Sequence, residues 1–292
     1  MSYDSSLAQS IGSFAAGAFA GACGVSVSQP FDIIKVRMQN TGGGTFSVLS
    51  HLIKNEGFLA LWKGSGACLF GTCVSHSISF GVVENCKKFL RHGRDEPLSL
   101  LEHAFCGFCS GTCTSLISAP TEGVRIKIQT QGYLDYRGDI HYKNTIGVSF
   151  ALLKLYGIYG LYRGFLTTFL RDAIGDTFYY STYQAVPKYL LGKEDVNAEK
   201  DVLAIILSGG LAGISFWTFT YPIDLIKSRI QSDSISNPKY KGTIDCFVQT
   251  LNEEGWRTFT RGYLPCLLRA FPVNIGLFLG FELAMKFVGR DY

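Results

Sequence analysis

The chain has 292 residues, of which 47% are hydrophobic and only 17% are charged. Soluble domains carry about a quarter charged residues, and here the apolar excess lies in six segments of about 20 to 29 residues, long enough to cross a bilayer core. This composition excludes an ordinary soluble domain. The formal net charge of +4, without any run of Lys and Arg, does not indicate a nucleic-acid partner.

The first, third and fifth apolar segments share one pattern and are predicted to be long helices, over about 11–39, 101–129 and 202–231. Each contains glycines at GxxxG spacing, which allow helices to approach closely in lipid. Each ends in a proline, then an acid, a base and a glutamine at fixed intervals. The glycine pairs are Gly17 with Gly21, Gly107 with Gly111, and Gly209 with Gly213, and the prolines are Pro30, Pro120 and Pro222.

A short amphipathic segment follows each long helix, over 46–56, 144–156 and 243–254. Its apolar residues recur near helical spacing, as expected of a helix that lies in the membrane interface. A second signature then closes each segment. It runs from Glu56 to Gly64, from Tyr156 (where the acid is missing) to Gly164, and from Glu254 to Gly262. The second apolar helix of each copy is predicted over about 65–89, 165–190 and 263–288.

These recurrences divide the chain into three repeats of about a hundred residues, 1–95, 96–197 and 198–292. The predicted fold class is therefore an all-α membrane protein. It has six transmembrane helices in three pseudo-symmetric repeats, and each repeat carries one short amphipathic helix.

Together these signatures resemble the mitochondrial carrier family, the inner-membrane solute transporters that are built from three tandem repeats. The resemblance covers essentially the whole chain. It implies a barrel of six tilted helices around one cavity, which opens alternately to the intermembrane space and to the matrix. It also implies a multi-pass protein of the mitochondrial inner membrane, with the short amphipathic helices on the matrix side.

The resemblance implies a gate at the matrix end, where the acid of each repeat pairs with the base of the next. Charged groups at membrane depth are costly unless they pair or line a wet cavity. A ring of charges that pairs in one state and is hydrated in the other meets both conditions. The implied pairs are Asp32–Arg125, Glu122–Lys227 and Asp224–Lys35, braced by Gln39, Gln129 and Gln231.

Positions midway along the even helices match the substrate contact points of the family. Arginine and aspartate rarely lie idle inside membrane helices, although an internal pair of Arg171 with Asp172 is an alternative. Trp217 offers either a cation–π face for an ammonium group or simple packing between helices. The predicted substrate-binding residues are Gly71, Thr72, Ser75, Arg171, Asp172, Trp217 and Arg269.

The pair Arg171-Asp172 and the run from Arg269 to Asn274 resemble the family branch that moves amino acids and carnitine esters. A zwitterion needs a guanidinium for its carboxylate and a carboxylate for its ammonium. The predicted function is exchange of a small amino acid or similar zwitterionic carboxylate by alternating access. A carnitine/acylcarnitine carrier is the alternative, and a non-transporting scaffold is a more remote one.

No enzyme is predicted, because the chain has no Ser/His/Asp constellation, HExxH motif or Gly-rich phosphate loop. No cofactor or metal is expected. Cys106 and Cys109 have CxxC spacing without a second pair, which is typical of buried free thiols. The expected partners are a small-molecule substrate and membrane lipid, with cardiolipin as one candidate, and the protein is expected to be a monomer.

The gate at the opposite end departs from the family pattern, in which an aromatic–acid–x–x–base stretch ends each even helix. The first copy keeps Glu84 and Lys87, whereas the second, which begins at Tyr183, has neither charge in place. The third has Glu282 but Met285 at the basic position. Exposed ion pairs contribute only about 0–1 kcal/mol each. A weak outer gate is therefore predicted, with the empty protein resting open to the intermembrane space.

Overall fold

The computed structural model describes residues 2–41, 44–91, 98–130, 144–190, 192, 202–235, 237–268, 272–273 and 276. Within these ranges the regular structure is helical and no strand occurs, which confirms the predicted all-α class. The helices of the described residues are α1 (Ser2–Thr41), α2 (Thr45–Glu56), α3 (Ser65–Arg91), α4 (Leu100–Thr130), α5 (Thr145–Leu161), α6 (Phe165–Ala185), α7 (Val202–Ser232), α8 (Thr243–Glu254) and α9 (Tyr263–Leu268).

The predicted helix bounds agree closely with the observed ones for most elements, and α1 extends further toward the N-terminus. The even helix of the second repeat is an exception, because its α-helical part ends at Ala185 and a π-helical turn follows over Val186–Leu190. This turn contains Pro187, which lacks the N–H that an α-helix requires and so breaks the regular ladder. The predicted helix over 263–288 lies mostly outside the described residues.

A glycine with positive φ ends the short amphipathic helix of each repeat. The angles are 84° at Gly57, 63° at Gly157 and 73° at Gly255, a region that other residues rarely adopt. In the first and third repeats a 3₁₀ turn follows, over Phe58–Trp62 and Trp256–Thr260. In the second repeat the chain resumes α-helical turns after Gly157, so α5 runs past its predicted end.

Six helices form a closed ring. In the order α1, α3, α4, α6, α7 and α9 each packs against the next, and α9 packs back against α1. The backbones of α4 and α6 approach so closely that a Cβ atom at Gly107 or Gly111 would collide with the carbonyls of Asp176 or Asp172. This is the close approach that GxxxG spacing predicts. Among the described neighbours, Gly21 and Gly209 face open space instead.

Each short helix is held to its long helix by a buried apolar cluster. In the first repeat Ile33 of α1 packs with Val48 and Leu52 of α2, and all three side chains are fully buried. Val124 with Leu152, and Leu225 with Cys246, occupy the corresponding places in the other repeats. Burial of one such side chain stabilises the fold by about 1.5–3 kcal/mol. These clusters fix the end of each long helix, where the acid–base stretch lies.

By length and hydropathy, two stretches of the described chain are able to cross a membrane, Phe58–Arg91 and Ala204–Ser232. A third qualifies if the bent pair Thr145–Leu161 and Phe165–Tyr189 is one span. Helix α4 has lower hydropathy because it carries Ser, Thr and charged side chains. Polar residues in a membrane helix face the interior of the bundle or a water-filled cavity, and α4 lines such a cavity.

Candidate functional site

A cavity of about 600 Å³ lies between α3, α4, α6 and α7. Its volume falls in the range of small-molecule sites. One end, here named the open end, reaches the last turns of α3 and α6 at Glu84, Lys87 and Gln184. The other end stops at Glu122 and Arg125, beside the acid–base stretches of the long helices.

The acid–base stretches of the three repeats meet at this closed end of the cavity. Lys35 Nζ lies 2.6 Å from Asp224 Oδ2, Arg125 Nη2 lies 2.6 Å from Asp32 Oδ2, and Lys227 contacts Glu122. Asp32, Lys35, Asp224 and Lys227 are buried, with Lys227 only 1% exposed, whereas Glu122 and Arg125 are half-buried. Each acid therefore contacts the base of the following repeat, as the resemblance implies. The acid–base ring comprises Asp32, Lys35, Glu122, Arg125, Asp224 and Lys227.

Only one of the three predicted glutamine braces is present in this structure. Gln39 Nε2 donates to Asp224 Oδ2 at 3.1 Å. Gln129 does not brace a pair, since neither polar atom of its side chain has a hydrogen-bond partner within the described residues. Gln231 donates instead to Thr168. The stems of Gln129 and Gln231 pack under the positive-φ glycines Gly64 and Gly164, which directs their amides away from the ring.

The residue before the proline is polar in two repeats, and in the first repeat it braces the acid–base ring, which the sequence reasoning missed. Gln29 Oε1 accepts a hydrogen bond from Arg125 at 2.9 Å, while its amide donates to the Lys63 carbonyl at 2.8 Å. In the third repeat the Tyr221 hydroxyl donates to the Arg261 carbonyl at 2.5 Å. The signal was a polar side chain at this position in two copies, with Ala119 in the other.

Arg171 connects the cavity to the acid–base ring. Its Nη1 lies 3.0 Å from Glu122 Oε1 and 3.4 Å from Asp224 Oδ1, and its guanidinium also pairs with Asp172. Asp172 in turn accepts a hydrogen bond of 2.6 Å from Ser118. The internal Arg171–Asp172 pair is thus formed in this structure, and the same guanidinium also bridges two acids of the ring.

Trp217 and the small residues of α3 were predicted to bind substrate. They line the cavity, and two of them also contact other residues of the protein. Lys35 Nζ lies 3.8 Å above the indole of Trp217. The cation–π partner of Trp217 in this state is therefore a lysine of the acid–base ring. Gly71 also has a packing role, because a Cβ there would come within 2.8 Å of Thr121 Oγ1. Thr72 and Ser75 are half-buried and line the cavity. Arg269 lies outside the described residues.

The open end has no matching ring of ion pairs among the described residues. Lys87 Nζ lies 3.2 Å from Glu84 Oε1, but both side chains belong to α3, so the pair does not join two repeats. The Glu84 side chain is 61% exposed. Tyr183 and Gln184 of α6 line the same mouth. Glu282, the remaining predicted residue of the outer gate, lies outside the described residues.

Asp176 is a further acid of the cavity wall that the sequence reasoning did not select. It accepts a hydrogen bond of 3.0 Å from Ser110 Oγ. Ser110 also bonds to Ser79 at 2.7 Å, and Ser79 to the Tyr180 hydroxyl at 2.7 Å. The signal was available, because residues four apart share a helix face and Asp176 follows Asp172 at that interval.

An ionic clip ties the short helix to the long helix in the first and third repeats. Glu56 lies 2.6 Å from Arg37 and also pairs with Lys63, and Glu254 lies 2.6 Å from both Arg229 and Arg261. Hydrogen bonds from Arg229 hold the pKa of Glu254 below its usual value. Burial raises the pKa of Glu56, but its basic partners outweigh burial and the pKa is lowered.

The second repeat has no such acid, since Tyr156 occupies its place. Asp233, from the link after α7, supplies the carboxylate instead. Arg163 Nη2 lies 2.7 Å from Asp233 Oδ2, and Lys127 Nζ donates to the Asp233 carbonyl at 2.5 Å. The clip of the second repeat is therefore completed by a residue of the third.

No group of three or more His, Cys, Asp and Glu side chains in the described part of the chain is arranged to hold a metal ion. Cys106 is buried, Cys109 is half-buried, and both are free thiols.

Comparison with known proteins agrees with this geometry. The family model for the mitochondrial carrier protein matches residues 7–94, 96–194 and 198–292. The mitochondrial substrate carrier family protein S of Dictyostelium discoideum is 34% identical over 94% of this chain and 96% of its own. The mitochondrial basic amino acids transporter of Bos taurus is 36% identical over 91% and 88%. A mitochondrial carnitine/acylcarnitine carrier-like protein of Arabidopsis thaliana is 29% identical over 94% and 97%. The chain therefore belongs to the mitochondrial carrier family, the multi-pass solute transporters of the mitochondrial inner membrane.

Proposed function

We propose that this carrier exchanges a small amino acid or a similar zwitterionic carboxylate by alternating access. The observation that carries the proposal is the end of the cavity, where the Arg171 guanidinium and the Asp172 carboxylate lie together beside the acid–base ring. A guanidinium binds a carboxylate through two parallel hydrogen bonds. A neighbouring acid suits an ammonium group, so the two ends of a zwitterion have complementary partners.

The contacts of Arg171 support a route from substrate binding to opening of the ring. Its guanidinium bonds to Glu122 and Asp224, which are also the acids that hold Lys227 and Lys35. A substrate carboxylate that takes over the guanidinium removes these contacts from the ring. A ligand shifts a conformational equilibrium only through its differential affinity for the two states, and this competition supplies such a difference.

The family resemblance assigns the acid–base ring to the matrix side, so the structure corresponds to a state open to the intermembrane space. The role of the ring as the matrix gate, with Gln39 as its brace, is part of the proposal. So are the monomeric state, the absence of covalent chemistry, and contact with membrane lipid, cardiolipin included.

A carnitine ester is the second candidate substrate. The cavity of about 600 Å³ and the small side chains of Gly71, Thr72 and Ser75 leave room for an acyl chain opposite α6. Carnitine also carries one carboxylate and one cationic nitrogen, so the same charged residues suit it. Competition between labelled and unlabelled solutes in liposomes separates the two candidates.

The contact residues are tested by exchange assays on the purified carrier in liposomes. Arg171→Ala and Arg269→Ala each remove a charge-assisted contact of about 1.5–3 kcal/mol, so exchange is expected to fall about ten- to hundredfold. Arg257→Ala, an exposed arginine on the turn after α8, is the matched control and should keep normal exchange. Near-normal exchange by Arg269→Ala would refute its assignment as a carboxylate anchor.

A further inference from the structure

The acids that line the cavity differ in whether a base neutralises them. Glu84 pairs with Lys87, Glu122 with Lys227 and Arg171, and Asp172 with Arg171. Asp176 has no base within ion-pair distance in the described part of the chain, and its hydrogen-bond donor there is the neutral hydroxyl of Ser110. An acid at membrane depth without a cation is costly. This carboxylate therefore offers a cationic ligand an acceptor that no base of the described residues occupies.

The hydrogen bonds around Asp176 run in one direction. Because Ser110 donates its proton to Asp176, it accepts from Ser79, and Ser79 in turn accepts from the Tyr180 hydroxyl. All three hydroxyls are thus oriented toward the carboxylate as donors. A carboxylate has about four acceptor positions, and this chain occupies one. The remaining positions are available to a ligand, since Asp176 is half-buried and lines the cavity.

The backbone around Asp176 is held rigidly. Gly107 and Gly111 bring the α4 backbone against the carbonyls of Asp176 and Asp172, so neither acid can shift along the wall without moving both helices. On α6 the two residues lie one turn apart, a rise of about 6 Å along the axis. The cavity therefore presents two carboxylates at a fixed spacing, of which the inner one is already paired with Arg171.

Tyrosine rings line the same cavity as Asp176. Tyr179 and Tyr183 lie on the same helix with ring centroids 6.3 Å apart and nearly parallel planes, and both line the cavity. Tyrosine faces attract ammonium and guanidinium groups, more strongly where water is excluded. Carboxylate, hydroxyls and rings together form a lining suited to an organic cation.

We infer that Asp176 is the subsite for a positively charged side chain, so that the substrate class is a basic amino acid. The inference rests on the proposed function and deepens it. The substrate carboxylate binds Arg171, its α-ammonium lies at Asp172, and its side-chain amine or guanidinium reaches Asp176. A lysine or arginine side chain is long enough to span the helical turn of about 6 Å between these acids. The small residues of α3 carry no counter-ion for such a charge, and α6 supplies it instead.

Arginine and citrulline are the test solutes, because they have nearly the same shape and differ in a charged guanidinium against a neutral urea. Exchange of each is measured with the purified full-length carrier in liposomes. The wild type should prefer arginine, and Asp176→Asn should lower the arginine-to-citrulline ratio about ten- to hundredfold, the effect of losing one charge-assisted hydrogen bond. Asp176→Glu, which keeps the charge, should recover part of the preference.

Glu253→Gln is the matched acid-to-amide control, because Glu253 is an exposed acid of α8 that does not line the cavity. It should leave the ratio near the wild-type value. A wild-type ratio near one, or an unchanged ratio in Asp176→Asn, would overturn the subsite while leaving zwitterion exchange intact. A wild type that exchanges neither solute nor any neutral amino acid would overturn the proposed function as well.

Asp176→Asn could also fail to fold, so a second measurement uses the unmodified protein. A ligand that binds the folded state raises its thermal stability by mass action. Arginine should therefore raise the unfolding temperature of the wild type in detergent more than citrulline does at equal concentration. Equal shifts by the two solutes would overturn the cation subsite without any variant.

Discussion

The charged side chains at the two ends of the cavity differ in burial and in the helices that they join. At the acid–base ring three ion pairs join different repeats and are buried or half-buried, whereas at the open end the described pair joins Glu84 and Lys87 of a single helix, and the Glu84 side chain is 61% exposed. Removing one partner of a buried pair costs about 3–5 kcal/mol, and an exposed pair contributes about 0–1 kcal/mol. The acid–base ring therefore closes one end of the cavity with ion pairs that cost more to break than the pair at the open end.

Reversing the charge of one partner in an ion pair of the acid–base ring should have the largest effect on solute exchange. Asp32–Arg125 is the pair to choose, because Arg171 bridges Glu122 and Asp224 and their reversal would disturb it too. Asp32→Arg or Arg125→Asp alone leaves like charges buried together, which should lower exchange at least about a hundredfold. The rate of solute exchange in liposomes is the measurement.

The double reversal, with both substitutions in one chain, is the control for this experiment. It restores attraction at the same place and should recover part of the exchange. Gln29 accepts a hydrogen bond from Arg125, so the recovery should be incomplete. A double variant no better than either single variant would show that these charges do not act as a pair.

The next largest effect should be the difference between the rates at which a cavity residue is labelled from the two faces of the membrane. Ser75 lines the cavity beyond the ring, so Ser75→Cys in a background without native thiols reports which side is open. An impermeant thiol reagent should react at least about tenfold faster from the intermembrane-space face, since a single buried pair outweighs that ratio. Faster reaction from the matrix face would refute the asymmetry.

The clip of the second repeat should have a moderate effect, on stability at the ring end. Asp233→Asn removes the charge that Arg163 contacts and weakens acceptance from the backbone N–H groups of Lys239 and Tyr240. The loss of such a charged hydrogen bond is expected to cost about 1.5–3 kcal/mol, seen as a lower unfolding temperature in detergent. Glu253→Gln, at an exposed acid of α8 that pairs with Lys239, is the matched control and should cost less.

The smallest effect should come from strengthening the open end. Gln184 occupies the acidic position that the second repeat lacks, and it lines the same mouth as Lys87. Gln184→Glu adds one exposed ion pair of about 0–1 kcal/mol, so labelling of Ser75→Cys from outside should slow by no more than about fivefold. Gln184→Ala, without a charge, is the control. A much larger slowing would show that the open end is already close to pairing.

The features that recur in all three repeats are those that the sequence predicted best. The helix bounds near the acid–base ring were predicted well, because proline, acid and base repeat at the same intervals in α1, α4 and α7. The three predicted ion pairs of the ring are also in contact. The spacing of residues along a helix predicts which face a side chain lies on, but it does not predict which residues of other helices a long side chain contacts. Arg171 therefore matched a contact point in the sequence, while its bonds to Glu122 and Asp224 required the structure.

Several features that escaped prediction do not recur in all three repeats. Asp233 lies in a link without helical periodicity, so nothing in the sequence placed it beside Arg163. The amides of Gln129 and Gln231 were expected at the ring by analogy with Gln39, but glycine packing directs them elsewhere. Asp176 is different, because its interval from Asp172 was readable and only a wider search of that helix face was needed.

The bond between Arg163 and Asp233 makes the order of the three repeats consequential. A fragment that ends after the second repeat would leave Arg163 and Lys127 without the acceptors that Asp233 provides, so that repeat is not an independent module. A circular permutation that opens the chain between the second and third repeats would keep both partners but lose their tether. The acid that Tyr156 replaces in the second repeat is thus supplied by the third repeat, and this contact ties the two repeats to each other.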